Sequence, residues 1–180
     1  MKVVSIVGMS GSGKSEVTAL FQKKGFTAVR FGDVTDDEAK KRGLELTEEN
    51  ERRVREHLRE QYGMAVYARL NLPRIDAALK TSDVVVDGLY SWEEYIFLKT
   101  HYDENFITIA VWASPETRYA RLRSRKVRPL TYQDALSRDY AEIENLDKGG
   151  PIAMADYTVI NESSLSDMQQ QVERIISRLK

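Results

Sequence analysis

Residues 3–15 read Val3-Val4-Ser5-Ile6-Val7-Gly8-Met9-Ser10-Gly11-Ser12-Gly13-Lys14-Ser15. The first five form a short β-branched run of the type buried on both faces of a parallel sheet. The residues from Ser15 to Lys24 favour a helix. Between the two, Gly8, Gly11 and Gly13 let successive backbone N–H groups turn into one concavity, and the helix behind it adds its positive N-terminal end. Strand, glycine loop, Lys-Ser and helix, in that order, satisfy the Walker A pattern. The plainer reading of these glycines is a strand-to-helix turn.

A concavity of amides binds phosphate, so ATP is the expected ligand, held by Gly8, Met9, Ser10, Gly11, Ser12, Gly13, Lys14, Ser15 and Glu16. Lys14 would reach the β- and γ-phosphates, and the Ser15 hydroxyl would meet Mg²⁺. A second metal-facing group is expected at the carboxyl end of a neighbouring strand. Val84-Val85-Val86-Asp87-Gly88 supplies Asp87 there, to act through water, although Asp-Gly is also a turn-forming pair. Phe31-Gly32-Asp33 ends another strand. Three readings of Asp33 stay open: it orients an acceptor hydroxyl or phosphate, it sits in the metal's outer shell, or it caps the helix from Thr35 onward.

Working outward, β-branched runs alternate with helical segments, which argues for a parallel α/β sheet. The strands are Val3 to Val7, Thr27 to Phe31, Val84 to Val86, Phe106 to Trp112 and Tyr157 to Ile160. Ser91 with Glu94, Ser114 before Pro115, and Thr131 with Asp134 mark helix starts. Thr35 to Lys80 is long, polar and helix-favouring, and reads as a helical insertion; a shorter one runs from Arg121 to Pro151. A chain of 180 residues is expected to form one domain, residues 1–180.

Composition excludes several classes. The 27 Lys+Arg and 28 Asp+Glu nearly cancel, so there is no global field for nucleic acid or anionic membrane. With no Cys there is no disulfide, thiolate zinc site or thiol nucleophile. No apolar stretch approaches the ~18 residues of a membrane span, and Val3 to Val7 is too short for a leader core. The expectation is a soluble cytoplasmic protein without a cleaved leader. His57 and His101, the 2 histidines, lie in polar helical stretches and read as surface.

From Arg118 to Arg128 the chain carries Arg118, Arg121, Arg123, Arg125, Lys126 and Arg128. Helical spacing puts Arg118, Arg121 and Arg125 on one stripe suited to an anion, the alternative being a solvated helix face. Arg123 and Arg128 read as surface, while Arg138 and Asp139 on the following helix return a second cation to the site.

Gly8 to Ser15, Gly32-Asp33, Asp87-Gly88, Arg121 to Val127, Arg138-Asp139 and Ala155-Asp156-Tyr157 with Asn161 together resemble the nucleoside monophosphate kinase group of P-loop proteins. Adenylate kinases and dephospho-CoA kinases belong to that group, and the likeness is greatest to adenylate-kinase-related proteins of archaea and bacteria. The resemblance implies the three-layer α/β fold of a P-loop NTPase. Its five-stranded parallel core would carry an acceptor-binding insertion at about 35–80 and a short lid at about 126–150. It implies ATP- and Mg²⁺-dependent transfer to a small nucleotide-like acceptor such as a nucleoside monophosphate, with no nucleic-acid or membrane partner. Lys14, Asp33, Arg125 and Arg138 would serve catalysis, Arg121 would stack on adenine, and Asn161 would border the base. Asp36 and Tyr90 stand where adenylate kinases carry acceptor-phosphate arginines, so Arg55, Arg59 or Arg74 would have to compensate. Tyr90, Trp92 and Tyr95 either stack on a flat acceptor or pack the core. The departures keep open dephospho-CoA-like hydroxyl phosphorylation and a non-catalytic ATP-binding regulator.

Overall fold

Five short runs pair side by side, the three central ones largely buried on both faces and the outer two half exposed. In the computed structural model, which describes residues 1–126 and 128–179 and only the backbone of Glu48, they form one sheet. Val127, the last residue of the arginine-cluster likeness and part of the expected lid, lies outside the described residues. The strands are β1 (Val3–Val7), β2 (Thr27–Arg30), β3 (Val84–Asp87), β4 (Phe106–Trp112) and β5 (Tyr157–Ile160). All neighbours are parallel, in the order β2-β3-β1-β4-β5. β1 is central, so the loop that follows it opens into the crevice at the carboxyl edge, where ligands bind in such sheets.

Alternation along each strand sends side chains to two separate cores. Val4, Ile6, Val85, Ile109, Val111 and Val159 face Val17 and Phe21 of α1 (Lys14–Lys23) and Met168, Val172 and Ile176 of α9 (Leu165–Leu179). Val3, Val7, Val84, Val86, Phe106 and Ala110 point the other way. They are covered by α2 (Asp33–Lys41), α3 (Glu48–Tyr62), α4 (Val66–Ala78) and α5 (Trp92–Tyr102). Helix, sheet and helix therefore make the three layers of a P-loop α/β fold.

The expected helical insertion is α2, α3 and α4. Three further helices, α6 (Pro115–Arg123), α7 (Tyr132–Glu144) and the short α8 (Gly149–Ala153), lie between β4 and β5. Local sequence sets their starts. Ser91 and Glu94 form a reciprocal capping box on α5, Thr131 and Asp134 do the same on α7, and Ser114 accepts from Thr117 N at α6.

The α5 box also pins the insertion. The buried Glu94 accepts from Tyr90 N at 2.7 Å, and Arg59 Nη2 of α3 lies 3.8 Å from its Oε1. The Arg59 guanidinium sits 5.0 Å from the ring centre of Tyr67 on α4, whose hydroxyl is 2.7 Å from Thr35 Oγ1 on α2. One chain of polar contacts thus joins all three insertion helices to α5.

Two outcomes follow for stability. Ser91→Ala should cost about 1 kcal/mol in urea unfolding. Burial raises the Glu94 carboxyl to about 7, against the weaker pull of Arg59 and the two backbone donors. A group that holds its proton more tightly when folded stabilises below its unfolded pKa, here near 4.5, and loses that contribution as pH rises through about 7. Glu94→Gln should therefore flatten the decline of the urea midpoint across that window; an unchanged slope would contradict it.

Candidate active site

β1 ends at Val7 and the chain turns through Gly8 to Gly13 into α1. Gly11 has φ +83°, and a Cβ there would lie 2.8 Å from the Arg118 carbonyl oxygen. Gly13 has φ +102°, and a Cβ there would collide with Asn161 Nδ2. Gly13 is also the N-cap of α1 and offers no side-chain cap, which leaves the helix's positive end open to an outside anion.

Three segments brace the loop. Asn161 Nδ2, just past β5, donates to Ser12 O at 2.8 Å. Arg118 Nη1 on α6 donates to Ser10 O at 3.0 Å. Ser10 Oγ donates to Glu142 Oε1 on α7 at 2.9 Å. Inside this frame Lys14 Nζ donates to Gly8 O at 2.9 Å and Met9 O at 3.0 Å. Burial, with repulsion from Lys148, lowers its pKa to about 7, while Glu142 and Asp87 pull the other way. Ser15 and Glu16 are exposed at the start of α1.

The arginine stripe resolves differently from expectation. Arg118 is only 4% exposed. It makes a bidentate pair with Asp139 at 2.9 and 2.6 Å and donates through Nε to Ala113 O at 3.2 Å. Its guanidinium is part of the framework, not a free anion receptor, and Asp139 is its counterion. Arg125 leaves the stripe because α6 ends at Arg123 with Ser124 as its cap, so helical spacing no longer applies; its side chain is exposed. Arg121 donates through Nη2 to Asn161 O at 2.9 Å, while its buried Nη1 has no partner among the described residues. Arg123 and Arg128 are exposed, and Arg128 pairs with Glu51 of the insertion at 3.1 Å.

α7 brings Arg138 to the loop, where its Nε donates to Glu142 Oε1 at 3.1 Å. Lys148 Nζ donates to the other carboxylate oxygen at 2.6 Å. Burial alone would raise the Glu142 carboxyl, but Lys148 and Arg138 overcome it and hold the group at about 2. Sequence reading missed Glu142 and Lys148. Each looks like an ordinary helix-surface charge, and only the tertiary contact with Ser10 marks the pair out.

The other half of the crevice is built from carboxylates with cationic partners. Asp87 lies in register beside Ile6 of β1 and Arg30 of β2, its pKa raised by burial and held down by Lys14 and Arg30. Asp33 does not cap α2: the N-cap is Gly32 and no side-chain cap bond is made. Instead Arg30 Nη1 donates to Asp33 Oδ1 and to Asp36 Oδ2, both at 2.8 Å. Arg30 is the guanidinium that sequence reading overlooked here; its signal was its place at the end of a strand. Of the three arginines expected to compensate, Arg59 is an anchor under the insertion. Arg74 pairs with Asp37 at 2.6 Å, and Arg55 lies 3.6 Å from Glu51.

Tyr90 lies beneath Lys148, with Nζ 4.5 Å from its ring centre. Trp92 stacks on the buried Tyr95 at 5.1 Å and covers Gly150, which makes it a packing residue. His57 is half-buried and His101 exposed, and no group of three or more His, Cys, Asp or Glu among the described residues makes a metal cage. Ser15 at the start of α1 and Asp87 at the carboxyl end of β3 offer oxygen ligands of the kind Mg²⁺ takes, since that ion needs one or two from protein and completes its shell with phosphate and water.

A central-strand glycine loop ending in Lys-Ser, inside this sheet order, defines the P-loop kinase-like class. The chain belongs to the AAA domain family, whose model matches residues 4–145. Among named relatives, a UPF0200 protein of Thermococcus kodakarensis is 39% identical over 181 residues, covering 98% of this chain and 97% of that protein. Three solved structures share the fold. TT1252 from Thermus thermophilus has a TM-score of 0.69 at 20% identity, covering 99% of this chain and 98% of that one. Shikimate kinase from Bacteroides thetaiotaomicron has 0.62 at 13%, covering 99% and 98%. Dephospho-CoA kinase from Campylobacter jejuni has 0.57 at 14%, covering 99% and 97%.

Removing the brace beneath the loop should be costly, since it strands a buried carboxylate. Arg118→Ala is expected to lower unfolding free energy by roughly 3 to 5 kcal/mol. Adding Asp139→Asn should recover part of that loss in chemical denaturation, whereas strictly additive losses would deny the coupling.

Proposed function

We propose that the chain is an ATP- and Mg²⁺-dependent phosphotransferase acting on a small nucleotide-like acceptor, such as a nucleoside monophosphate. The observation that carries this is Lys14 lying across the mouth of a glycine loop braced by α6, α7 and the end of β5. Its two bonds to Gly8 and Met9 carbonyls are replaceable, and a triphosphate arriving in the loop would draw Nζ onto its β- and γ-oxygens. Residues Gly8 to Glu16 would line the phosphates. Arg121, already oriented by Asn161, would lie along the base.

The acceptor oxygen attacks the γ-phosphorus as its bond to the departing ADP oxygen breaks, with negative charge spreading over the equatorial oxygens. Lys14 and Arg138 stabilise that charge from the loop and from α7, and Arg125, exposed just past α6, is the third cation assigned to it. Mg²⁺, on the Ser15 hydroxyl and Asp87 through water, would neutralise phosphate charge. Asp33 orients the acceptor. No helix among the described residues is long and apolar enough to cross a membrane. ATP chemistry in a chain without Cys suits the cytoplasm.

Transfer to a hydroxyl, as in phosphorylation of dephospho-CoA, is the second reading. It is favoured by Asp33 and Asp36 lining the acceptor side, where a dianionic phosphate would meet like charge unless Arg30 turned toward it.

Measuring ADP release with a panel of monophosphates against dephospho-CoA separates the two. Lys14→Ala should lower acceptor-stimulated turnover by at least about a hundredfold while leaving the melting temperature close to wild type, because the half-buried Lys14 ammonium is held at a desolvation cost. Undiminished turnover would contradict the assignment.

A further inference from the structure

Glu142 and Lys148 are 6% and 1% exposed and face each other against the phosphate loop. The pair is not what fastens α7 in place, since Arg118 with Asp139 and Ser10 O already does that. A buried ion pair also seldom recovers in stability what its desolvation costs.

What the carboxylate does is collect donors from separate segments: Ser10 Oγ at 2.9 Å from the loop, Arg138 Nε at 3.1 Å from α7, and Lys148 Nζ at 2.6 Å from the start of α8. A hydroxyl, a guanidinium and an ammonium converging on one anion make a donor set that suits a phosphoryl group equally well. The Ser10 bond ties the cradle to the loop that carries Lys14, the expected β- and γ-phosphate cation, and both members of the pair act electrostatically on it. The Tyr90 ring supports Lys148 from below, so Nζ keeps its aim when its carboxylate partner moves.

We propose that this cradle is the seat of the terminal phosphoryl group of bound ATP, that Glu142 fills it as a stand-in anion in the free protein, and that Lys148 is a catalytic residue whose ammonium donates to that group's oxygens once Glu142 swings aside. A carboxylate left at hydrogen-bond distance from that phosphoryl would repel it, so the Ser10–Glu142 bond must open on binding. This assignment rests on the kinase reading and extends it to two residues that sequence analysis did not mark.

The test is the ratio of affinities for a non-hydrolysable Mg-ATP analogue and Mg-ADP, by titration calorimetry on the intact chain, with circular dichroism confirming fold. Lys148→Met should weaken the ATP analogue about tenfold while ADP stays within about twofold. Glu142→Gln, with the competing charge gone, should tighten the analogue and leave ADP unaltered. Should either single variant fail to fold, Glu142→Gln/Lys148→Met removes both buried charges and should hold a ratio below wild type, because the lost cation outweighs the lost repulsion. A wild-type ratio in Lys148→Met or the double variant, or an analogue weakened by Glu142→Gln, overturns the cradle. If wild type binds the nucleotides and only these variants disappoint, the cradle alone falls; if wild type binds neither, the kinase reading falls and takes the cradle with it.

Discussion

The site depends on the Arg118 guanidinium, which ties three things that would otherwise drift apart. It holds the Ser10 carbonyl of the phosphate loop, the Ala113 carbonyl at the end of β4, and the Asp139 carboxylate of α7. A glycine-rich loop has too much conformational freedom to keep its amides convergent alone. Arg118, with Asn161 on the opposite side, turns that freedom into one held shape. It also fixes α7, which carries Arg138 and Glu142 to the loop. Preorganised donors that need no rearrangement at the moment of reaction are the main resource of a phosphotransferase.

The two halves of the crevice differ in kind. On the loop side, Arg138 and Lys148 meet the carboxylate of Glu142, while Lys14 bonds to the Gly8 and Met9 carbonyls and feels both Glu142 and Asp87. On the acceptor side, Arg30 and Arg74 are matched by Asp33, Asp36 and Asp37. On the proposed reading, an acceptor entering so balanced a crevice would be selected by shape and by which ion pair it can displace, not by bulk positive charge. The Arg128–Glu51 pair joins the segment after α6 to the insertion, so the two sides are mechanically in touch across the crevice.

The fold was legible because its signals are local. A β-branched run before a glycine loop, or a Ser three residues ahead of a Glu, reports on backbone within a few residues of itself. The five strands and the capped starts of α5, α6 and α7 could accordingly be read from the chain. Strand ends moved by one residue, at Arg30 and Asp87, where pairing and turn compete. Of the candidate site, the loop around Lys14 was legible, and Arg121 and Asn161, singled out from the resemblance, do meet beside it. The arginine stripe failed because its projection assumed one unbroken helix, whereas α6 stops at Arg123. Arg118 looked available because its partner is 21 residues away, and Glu142 looked ordinary because Ser10 is 132 residues away. No pattern in the chain announces such pairings.

The most direct measurement is of the loop's backbone amides. In ¹⁵N-labelled protein titrated with Mg-ATP, the amide resonances of Gly11 to Ser15 should move saturably and together, as N–H groups that now donate to phosphate oxygens. Amides of this stretch that stay where they were, while nucleotide is present in large excess, would contradict the account.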